Sequence, residues 1–345
     1  MSKKTGAAPL KWLITGGCGF IGTRLIAHLT AEGGHQMRVL DNLSVGTRED
    51  LANVAAVLEI SQKTLSDVSK GQWPESGVAL IPGDIRDPET CRAAARGADV
   101  IVHLAANTGV GPSVDDPESD MQSNVIGTFN MLESARHNKV GRFIFASSGA
   151  PIGECQPPIH EGLAPHPVSP YGASKLAGEG YCSAYYGTYG VHTVALRFGN
   201  VYGPGSGHKN SVVAKFIKLA FSGEALEIYG DGKQTRDFIY IDDLIRAICL
   251  SASQPDIGGE TFQIATSMET TVGELVERLV PVLEASGVSG VKITHGHPRV
   301  GDVRRNFSDT TKAAQRLKWQ CRYSLDEGLK KTVEYFMQNQ RFPDQ

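Results

Sequence analysis

The stretch that most constrains this 345-residue chain lies near its start. An apolar run, Lys11–Thr15, enters Gly16-Gly17-Cys18-Gly19-Phe20-Ile21-Gly22, and an amphipathic pattern over 20–31 follows. Gly16, Gly19 and Gly22 form a G-x-x-G-x-x-G that opens a helix. Glycines there allow a tight turn, let the backbone approach a pyrophosphate, and let helix pack closely on strand. The helix N-terminus adds N–H donors and the positive end of its dipole. Phe20 and Ile21, in the first helical turn, are counted with this site. Asp41 ends the next apolar run, 19 residues beyond Gly22. A carboxylate there can accept from both hydroxyls of a cofactor ribose. A 2′-phosphate would meet like charge at Asp41, and the next residue is Asn42 rather than Arg, so the expected cofactor is NAD rather than NADP. The alternative, a structural turn plus a strand-end Asp, leaves the strand–loop–helix–strand spacing to coincidence.

The rest of the first 200 residues repeats that alternation. Strands are expected at 11–15, 37–40, 78–81, 100–104, 143–146 and 193–197, with helices at 20–31, 88–96, 121–136 and 171–186. Such repetition argues for an α/β fold with a parallel sheet covered on both faces. Residues 52–77 read as a polar, partly helical insertion. Beyond Gly203 the elements shorten into a smaller mixed lobe, with helices near 212–221, 242–251, 272–284 and 325–337. The expected domains are 1–203 and 204–345, some elements of the second returning to the first. A formal net charge of -3 offers no basic field for nucleic acid or an anionic membrane. Six scattered cysteines with no C-x-x-C pair read as reduced, cytoplasmic thiols. No secretory leader or membrane-spanning run is read. His295-Gly296-His297 lacks further ligands, reads as a lobe loop, and no metal site is expected.

Two further segments belong with the cofactor. Asp84 and Ile85 follow the third strand. Asp84 suits either an adenine amino group or the cap region of the helix at Pro88. Leu104, Ala105 and Ala106 follow His103, and their small size allows close passage of the cofactor; His103 reads as a packed strand histidine. The chemistry points to Tyr171-Gly172-Ala173-Ser174-Lys175. On a helix, positions four apart share a face. A phenol of pKa about 10 is a poor base at neutral pH. A neighbouring ammonium and a positive nicotinamide can lower it by roughly three units, about 4 kcal/mol.

Taken in order, six motifs carry a family resemblance. They are the loop at 16–22, His103-Leu104-Ala105-Ala106, Asn124-Val125-Ile126-Gly127-Thr128, the Tyr171/Lys175 pair, Asn200-Val201-Tyr202-Gly203-Pro204, and Arg236-Asp237-Phe238-Ile239-Tyr240-Ile241-Asp242-Asp243. Together they resemble the extended short-chain dehydrogenase/reductase superfamily, and within it the NAD-dependent nucleotide-sugar epimerases and dehydratases, most of all the UDP-sugar 4-epimerases. The resemblance runs from about residue 10 to 336. It implies a Rossmann-type doubly wound parallel sheet with a smaller mixed α/β C-terminal lobe that binds a UDP-linked sugar. It also implies a homodimer in which the helices near 121–136 and 171–186 pair across a two-fold. By matching position, Ser148, Tyr171 and Lys175 are the catalytic set, Ser148 bonding the reacting hydroxyl; the other reading of Ser148 is a strand-end serine capping a loop. Lys175 would also bind the nicotinamide ribose. Asn200 would contact sugar or diphosphate, Arg236 and Arg299 would clamp the diphosphate, and Asp302 would lie near the uridine ribose. Arginine forks suit diphosphate oxygens, although either Arg also reads as a solvated surface charge.

The sequence departs from the family at three places. Pro151-Ile152-Gly153 stands where Val-Tyr-Gly is usual, Asn107 replaces a Gln, and Asn306 occupies the position that gates sugar size. Gly149, Ala150, Pro151 and Ile152 leave room beside the sugar, and Ser147 with Ser148 would hold a C6 carboxylate, so a uronate is expected to be accepted. Dehydratases of the family carry Asp-Glu after the active-site Thr, and decarboxylases a Glu two places after it. Here the two positions after Ser148 are Gly149 and Ala150, which move no proton. Epimerisation at C4 is therefore favoured over 4,6-dehydration or decarboxylation, and over a non-enzymatic NAD sensor. Glu161 is the acid from another loop that would rescue the alternative.

Overall fold

The computed structural model describes residues 9–60, 72–209, 211–298 and 304–339. In chain order the elements are β1 (Lys11–Thr15), α1 (Phe20–Glu32), β2 (Gln36–Asp41), α2 (Arg48–Ala52), β3 (Val57–Glu59), β4 (Val78–Pro82), α3 (Pro88–Ala94), β5 (Val100–His103), α4 (Val110–Asp115), α5 (Pro117–Met121), α6 (Gly127–His137), β6 (Arg142–Ser148), α7 (Pro170–Tyr189) and β7 (Thr193–Phe198). After these come β8 (Asn200–Tyr202), α8 (Val212–Phe221), β9 (Leu226–Tyr229), β10 (Thr235–Arg236), β11 (Phe238–Tyr240), α9 (Ile241–Ser253), β12 (Glu260–Ile264), β13 (Thr270–Thr271), α10 (Val272–Ala285), β14 (Ile293–Gly296) and α11 (Leu325–Gln338).

Eight strands form one sheet in the order β12-β7-β6-β5-β1-β2-β4-β3. The pairs β1/β2, β1/β5, β2/β4, β3/β4 and β5/β6 are all parallel. This is the Rossmann-type doubly wound sheet. Strand order reverses between β1 and β5, where such sheets leave a crevice at the strand C-termini. Leu13, Leu40, Ile81, Ile101, Phe143 and Phe145 pack with Cys91 and Ala94 of α3, Met131, Leu132 and Ala135 of α6, and Cys182 and Tyr185 of α7. The chain divides into two compact units, 1–153 with 165–197 and 248–262, and 154–164 with 198–247 and 263–345.

Local sequence explains the helix ends. Ser169 caps α7, accepting from the Gly172 N–H at 3.1 Å, with Pro170 in the first helical position. Gly190 closes the helix at φ 68°. Asp87 caps α3, so the capping role considered for Asp84 falls three residues later.

Three elements differ from the sequence expectation. A short helix, α2, with a Thr47/Asp50 capping box, ends where the 52–77 insertion begins, and the insertion itself holds β3, which adds an edge strand in register Val57↔Val78; residues 61–71 lie outside the described part. The single helix expected over 121–136 is α5 and α6 joined by a π-helical turn at Gln122–Ile126. His295-Gly296 belongs to a strand, β14, paired parallel with β9, rather than to a loop.

In the second unit, buried Asp237 accepts from the Thr266 and Ser267 N–H groups at 2.7 and 3.0 Å and from the Thr266 hydroxyl at 2.6 Å. Asp243 likewise accepts from the Arg322 and Tyr323 N–H groups at 3.0 and 2.9 Å. Both carboxylates tie strands or a helix start to later loops. Among the described residues no helix is long and apolar enough to cross a membrane.

Candidate active site

The glycine loop lies at the sheet's reversal point. Gly16 has φ 68°, and a Cβ there would meet the Ala105 backbone N at 2.8 Å. Only glycine permits both the left-handed backbone and this approach of the loop after β1 to the segment after β5. A Cβ on Gly22 would strike Gly16 O and Gly17 Cα at 2.5 Å, so the third glycine seats α1 on its own loop. Gly19 is different: its Cβ position meets only Gly16 O, at 3.3 Å. It is also the N-cap of α1, without a side-chain cap and without an acidic residue in the first turn formed by Phe20, Ile21 and Gly22. Buried Asp41 accepts the Cys18 N–H at 2.9 Å and the Leu43 N–H at 2.8 Å, one on each oxygen. The Cys18 thiol also bonds this carboxylate. Asn42 Nδ2 donates to Asp84 at 3.2 Å. Asp84 also accepts from Arg86 at 2.8–3.0 Å, and the Arg86 hydrogen bond holds it down at a pKa of about 2. Its charge is already shared before any adenine arrives. Ile85, beside it, is buried.

Behind Leu104, Ala105 and Ala106 runs a chain of buried hydrogen bonds. The Ala105 N–H donates to Thr15 Oγ1 at 3.2 Å, Thr15 Oγ1 lies 2.8 Å from His103 Nδ1, and His103 Nε2 lies 3.1 Å from Thr128 Oγ1. The Thr128 hydroxyl donates to the Asn124 carbonyl at 2.6 Å. With that proton committed, Thr128 must accept from Nε2–H, so Nδ1 accepts from Thr15, and the tautomer is fixed. Burial foremost, then the Lys175 charge, lowers His103 to about 3, and the ring is neutral. Asn124, in the π-helical turn, grips Asn107 on both sides: its Oδ1 accepts the Asn107 N–H at 2.8 Å and its Nδ2 donates to the Asn107 carbonyl at 2.9 Å. Nδ2 also meets Asp120 Oδ1 at 2.8 Å and Ser174 Oγ at 3.1 Å. Because Asn107 is held through its backbone, the family's Gln is not needed for this clamp.

The Tyr171/Lys175 pair sits where α7 crosses the end of β6. Lys175 Nζ donates to the Ala146 carbonyl at 2.9 Å and lies 5.0 Å from the Phe145 ring centroid and 5.8 Å from that of Tyr171. Tyr171 and Ser148 are hydrogen-bonded side chain to side chain, and Ser148 Oγ accepts the Ala150 N–H at 3.0 Å. The lowering expected for Tyr171 draws on the ammonium and a nicotinamide ring together. Burial pushes the Tyr171 pKa up, the Ser148 bond works against that, and the charge of buried Asp120 adds to the rise. The Lys175 ammonium, held on a carbonyl, does not outweigh burial, so in the protein alone the phenol stays protonated.

Ser147 is buried and donates to Glu179 Oε1 at 2.5 Å, so its hydroxyl proton is committed to that carboxylate rather than to the C6 carboxylate expected from the sequence. Gly149 is open, with nothing within 4 Å of the place a Cβ would take. In the second unit, exposed Asn200 stands opposite Phe238 in the β8/β11 pair, and its N–H donates to the Asp237 carbonyl at 2.8 Å. Half-buried Arg236 is therefore next to the residue that receives Asn200. Arg299 and Asp302 lie outside the described residues.

The model of a family described as NAD dependent epimerase/dehydratase matches residues 12–265. The chain belongs to that family. Within the epimerase/dehydratase family it is 36% identical over 333 residues to a UDP-glucose 4-epimerase of Mycolicibacterium smegmatis, covering 95% of this chain and 98% of the relative. It is 30% identical to a UDP-glucuronate 4-epimerase of Thermodesulfobacterium geofontis, covering 95% and 96%. The crystal structure of Thermotoga maritima UDP-glucose 4-epimerase with UDP-glucose superposes with TM-score 0.83 at 34% identity, covering 96% of this chain and 99% of that one. As in the rest of the family, the cofactor is NAD. The uncapped start of α1, the open face at Gly19 and the anchored carboxylate of Asp41 fit a pyrophosphate and its ribose. Asp120, Asn124 and Glu179 have no role that the sequence alone reveals. Glu179 does leave a trace: it lies four residues after Lys175, on the same helix face.

Proposed function

We propose that this chain is an NAD-dependent UDP-sugar 4-epimerase that oxidises its substrate at C4 and returns the hydride to the opposite face. Tyr171 takes the C4 hydroxyl proton and gives it back after the 4-keto sugar has turned over. Ser148, supported by the Ala150 N–H, donates to the Tyr171 oxygen and steadies the proton's path. Lys175 holds the end of β6 and presents its ammonium beside the ring. Bound NAD supplies the hydride acceptor and donor, and its oxidised ring brings a positive charge that opposes the burial of a Tyr171 phenolate. Gly16, Gly19, Phe20, Ile21, Gly22, Asp41, Asn42, Asp84, Ile85, Leu104, Ala105 and Ala106 form its seat. Asn200, Arg236, Arg299 and Asp302 serve the nucleotide sugar.

The observation that carries the reaction type is the lack of a proton-moving side chain at 149 and 150, directly after Ser148. Glu161, the acid considered as a substitute, accepts the Gln263 N–H at 2.7 Å on Oε1. The 4-keto sugar is thus left with hydride return. With the Ser147 proton committed to Glu179, neutral UDP-hexoses suit the site better than a uronate. The six cysteines, all free thiols, support a reducing cytoplasmic setting. Exposed Met121, Ile126, Phe129 and Tyr181 support a homodimer built on α6 and α7.

The test is product analysis by mass spectrometry with UDP-glucose, UDP-N-acetylglucosamine and UDP-glucuronate. Products isomeric with the substrate are expected, and loss of water or carbon dioxide overturns the reading. In the same assay Tyr171→Phe keeps its NAD and loses turnover by about 10²–10⁴, the usual cost of an acid–base group.

A further inference from the structure

The end of β6 is fastened to three successive turns of α7. Ser148 meets Tyr171, the Ala146 carbonyl meets Lys175, and Ser147 meets Glu179. The helix residues are spaced by four, so they stack along one face. The first two contacts belong to the reaction proposed above. The third is buried as well, at residues only 3% and 6% exposed. Glu179 also takes the buried Arg197 of β7, with Oε1 accepting from Nε at 2.8 Å and Oε2 from Nη2 at 2.6 Å. The Nη1 of Arg197 has no hydrogen-bond partner among the described residues. An ion pair so buried, with one donor left over, is an expensive way to fill a core; apolar residues of similar volume often do as well or better. What the pair does gain is direction. Arg197 fixes both carboxylate oxygens, and the fixed carboxylate fixes the Ser147 hydroxyl, one residue before Ser148.

We infer that Glu179 and Ser147 are positioning residues that set the place of Ser148 against Tyr171, Arg197 being their anchor. This rests on the reading of Ser148 and Tyr171 as the reacting pair. In this reading both act through Ser148.

The test compares kcat and KM of the NAD-loaded full chain, with the UDP-hexose it turns over, for Ser147→Ala, Ser148→Ala and the double variant. Ser147→Ala leaves the Glu179–Arg197 pair intact and is expected to fold, with a lowered melting temperature because one buried hydrogen bond to a carboxylate is lost. Its kcat falls about tenfold, the scale of a small misplacement, with KM within about twofold. Ser148→Ala falls by about 10²-fold or more. The double variant matches Ser148→Ala within about twofold, because a residue acting through Ser148 has nothing left to position. Glu179→Gln, where it folds, shows the same kcat loss and the same silence in the Ser148→Ala background. Parental kcat in Ser147→Ala, or losses that multiply in the double variant, overturns the inference and leaves the trio as packing. If Ser148→Ala itself retains full turnover, the reading of the reacting pair has failed instead, and this inference falls with it.

Discussion

Tyr171 sits where its own ionisation is opposed. Burial raises its pKa, and Asp120, buried and bonded to Asn124, raises it further by charge. In the proposed reaction this charge would oppose the base form of Tyr171. Replacing Asp120 by Asn keeps an oxygen for the Asn124 Nδ2 donor but removes the negative charge. One cause of the upward shift is gone, so the Tyr171 pKa falls and the phenolate forms at lower pH. The acidic limb of the kcat profile is expected to move to lower pH in Asp120→Asn, with NAD content unchanged. A limb that stays in place or moves up shows that the Asp120 charge does not reach the base. Nothing in the local sequence marks this residue, because its importance depends on a tyrosine 51 positions away.

At the level of elements, the glycine loop and the strands could be read directly, because each signal is local: a strand's apolar run, three spaced glycines, a cap such as Ser169. What escaped was set by distant partners. The break between α5 and α6 follows Asn124, whose side chain is held by Asn107, Asp120 and Ser174; the apolar pattern runs through it without a mark. Alternation places Ser147 on the face of Phe145, while its bond to Glu179 depends on a residue 32 positions away. The same contact supplies a prediction. A Cβ on Gly178 would lie 2.4 Å from Phe145 Cζ, in a ring with no exposure and no room to give. Overpacking of this kind costs about 1–3 kcal/mol, against about 1 kcal/mol gained from alanine's helix preference. Gly178→Ala is expected to lower the urea midpoint and, by lifting Lys175 from Phe145, to reduce turnover. Gly180→Ala, where a Cβ meets nothing within 4 Å, is the control and should hold or raise the midpoint. Equal midpoints for the two variants would show that α7 does not depend on this close approach.

For the whole molecule, the open question is assembly, and the surface of the first unit bears on it. Met121, Ile126, Phe129 and Tyr181 are 44%, 39%, 37% and 40% exposed. Phe129 and Tyr181 already touch edge to face, with ring centroids 5.9 Å apart, which joins α6 and α7 into one apolar surface. Exposed apolar side chains gathered on one surface suit an interaction site. A two-fold axis lets the same patch cover itself, α6 and α7 of one copy against α6 and α7 of the next, and such closed pairs are the commonest soluble assembly. Light scattering at micromolar concentration is expected to give twice the 37.0 kDa chain mass. Phe129→Glu places a charge beside Tyr181 on this surface, away from the glycine loop and Tyr171 in the sequence. It should therefore yield a monomer that still carries NAD. A parent chain that scatters as a monomer, or a Phe129→Glu variant that remains a dimer, would place the subunit contact elsewhere or remove it.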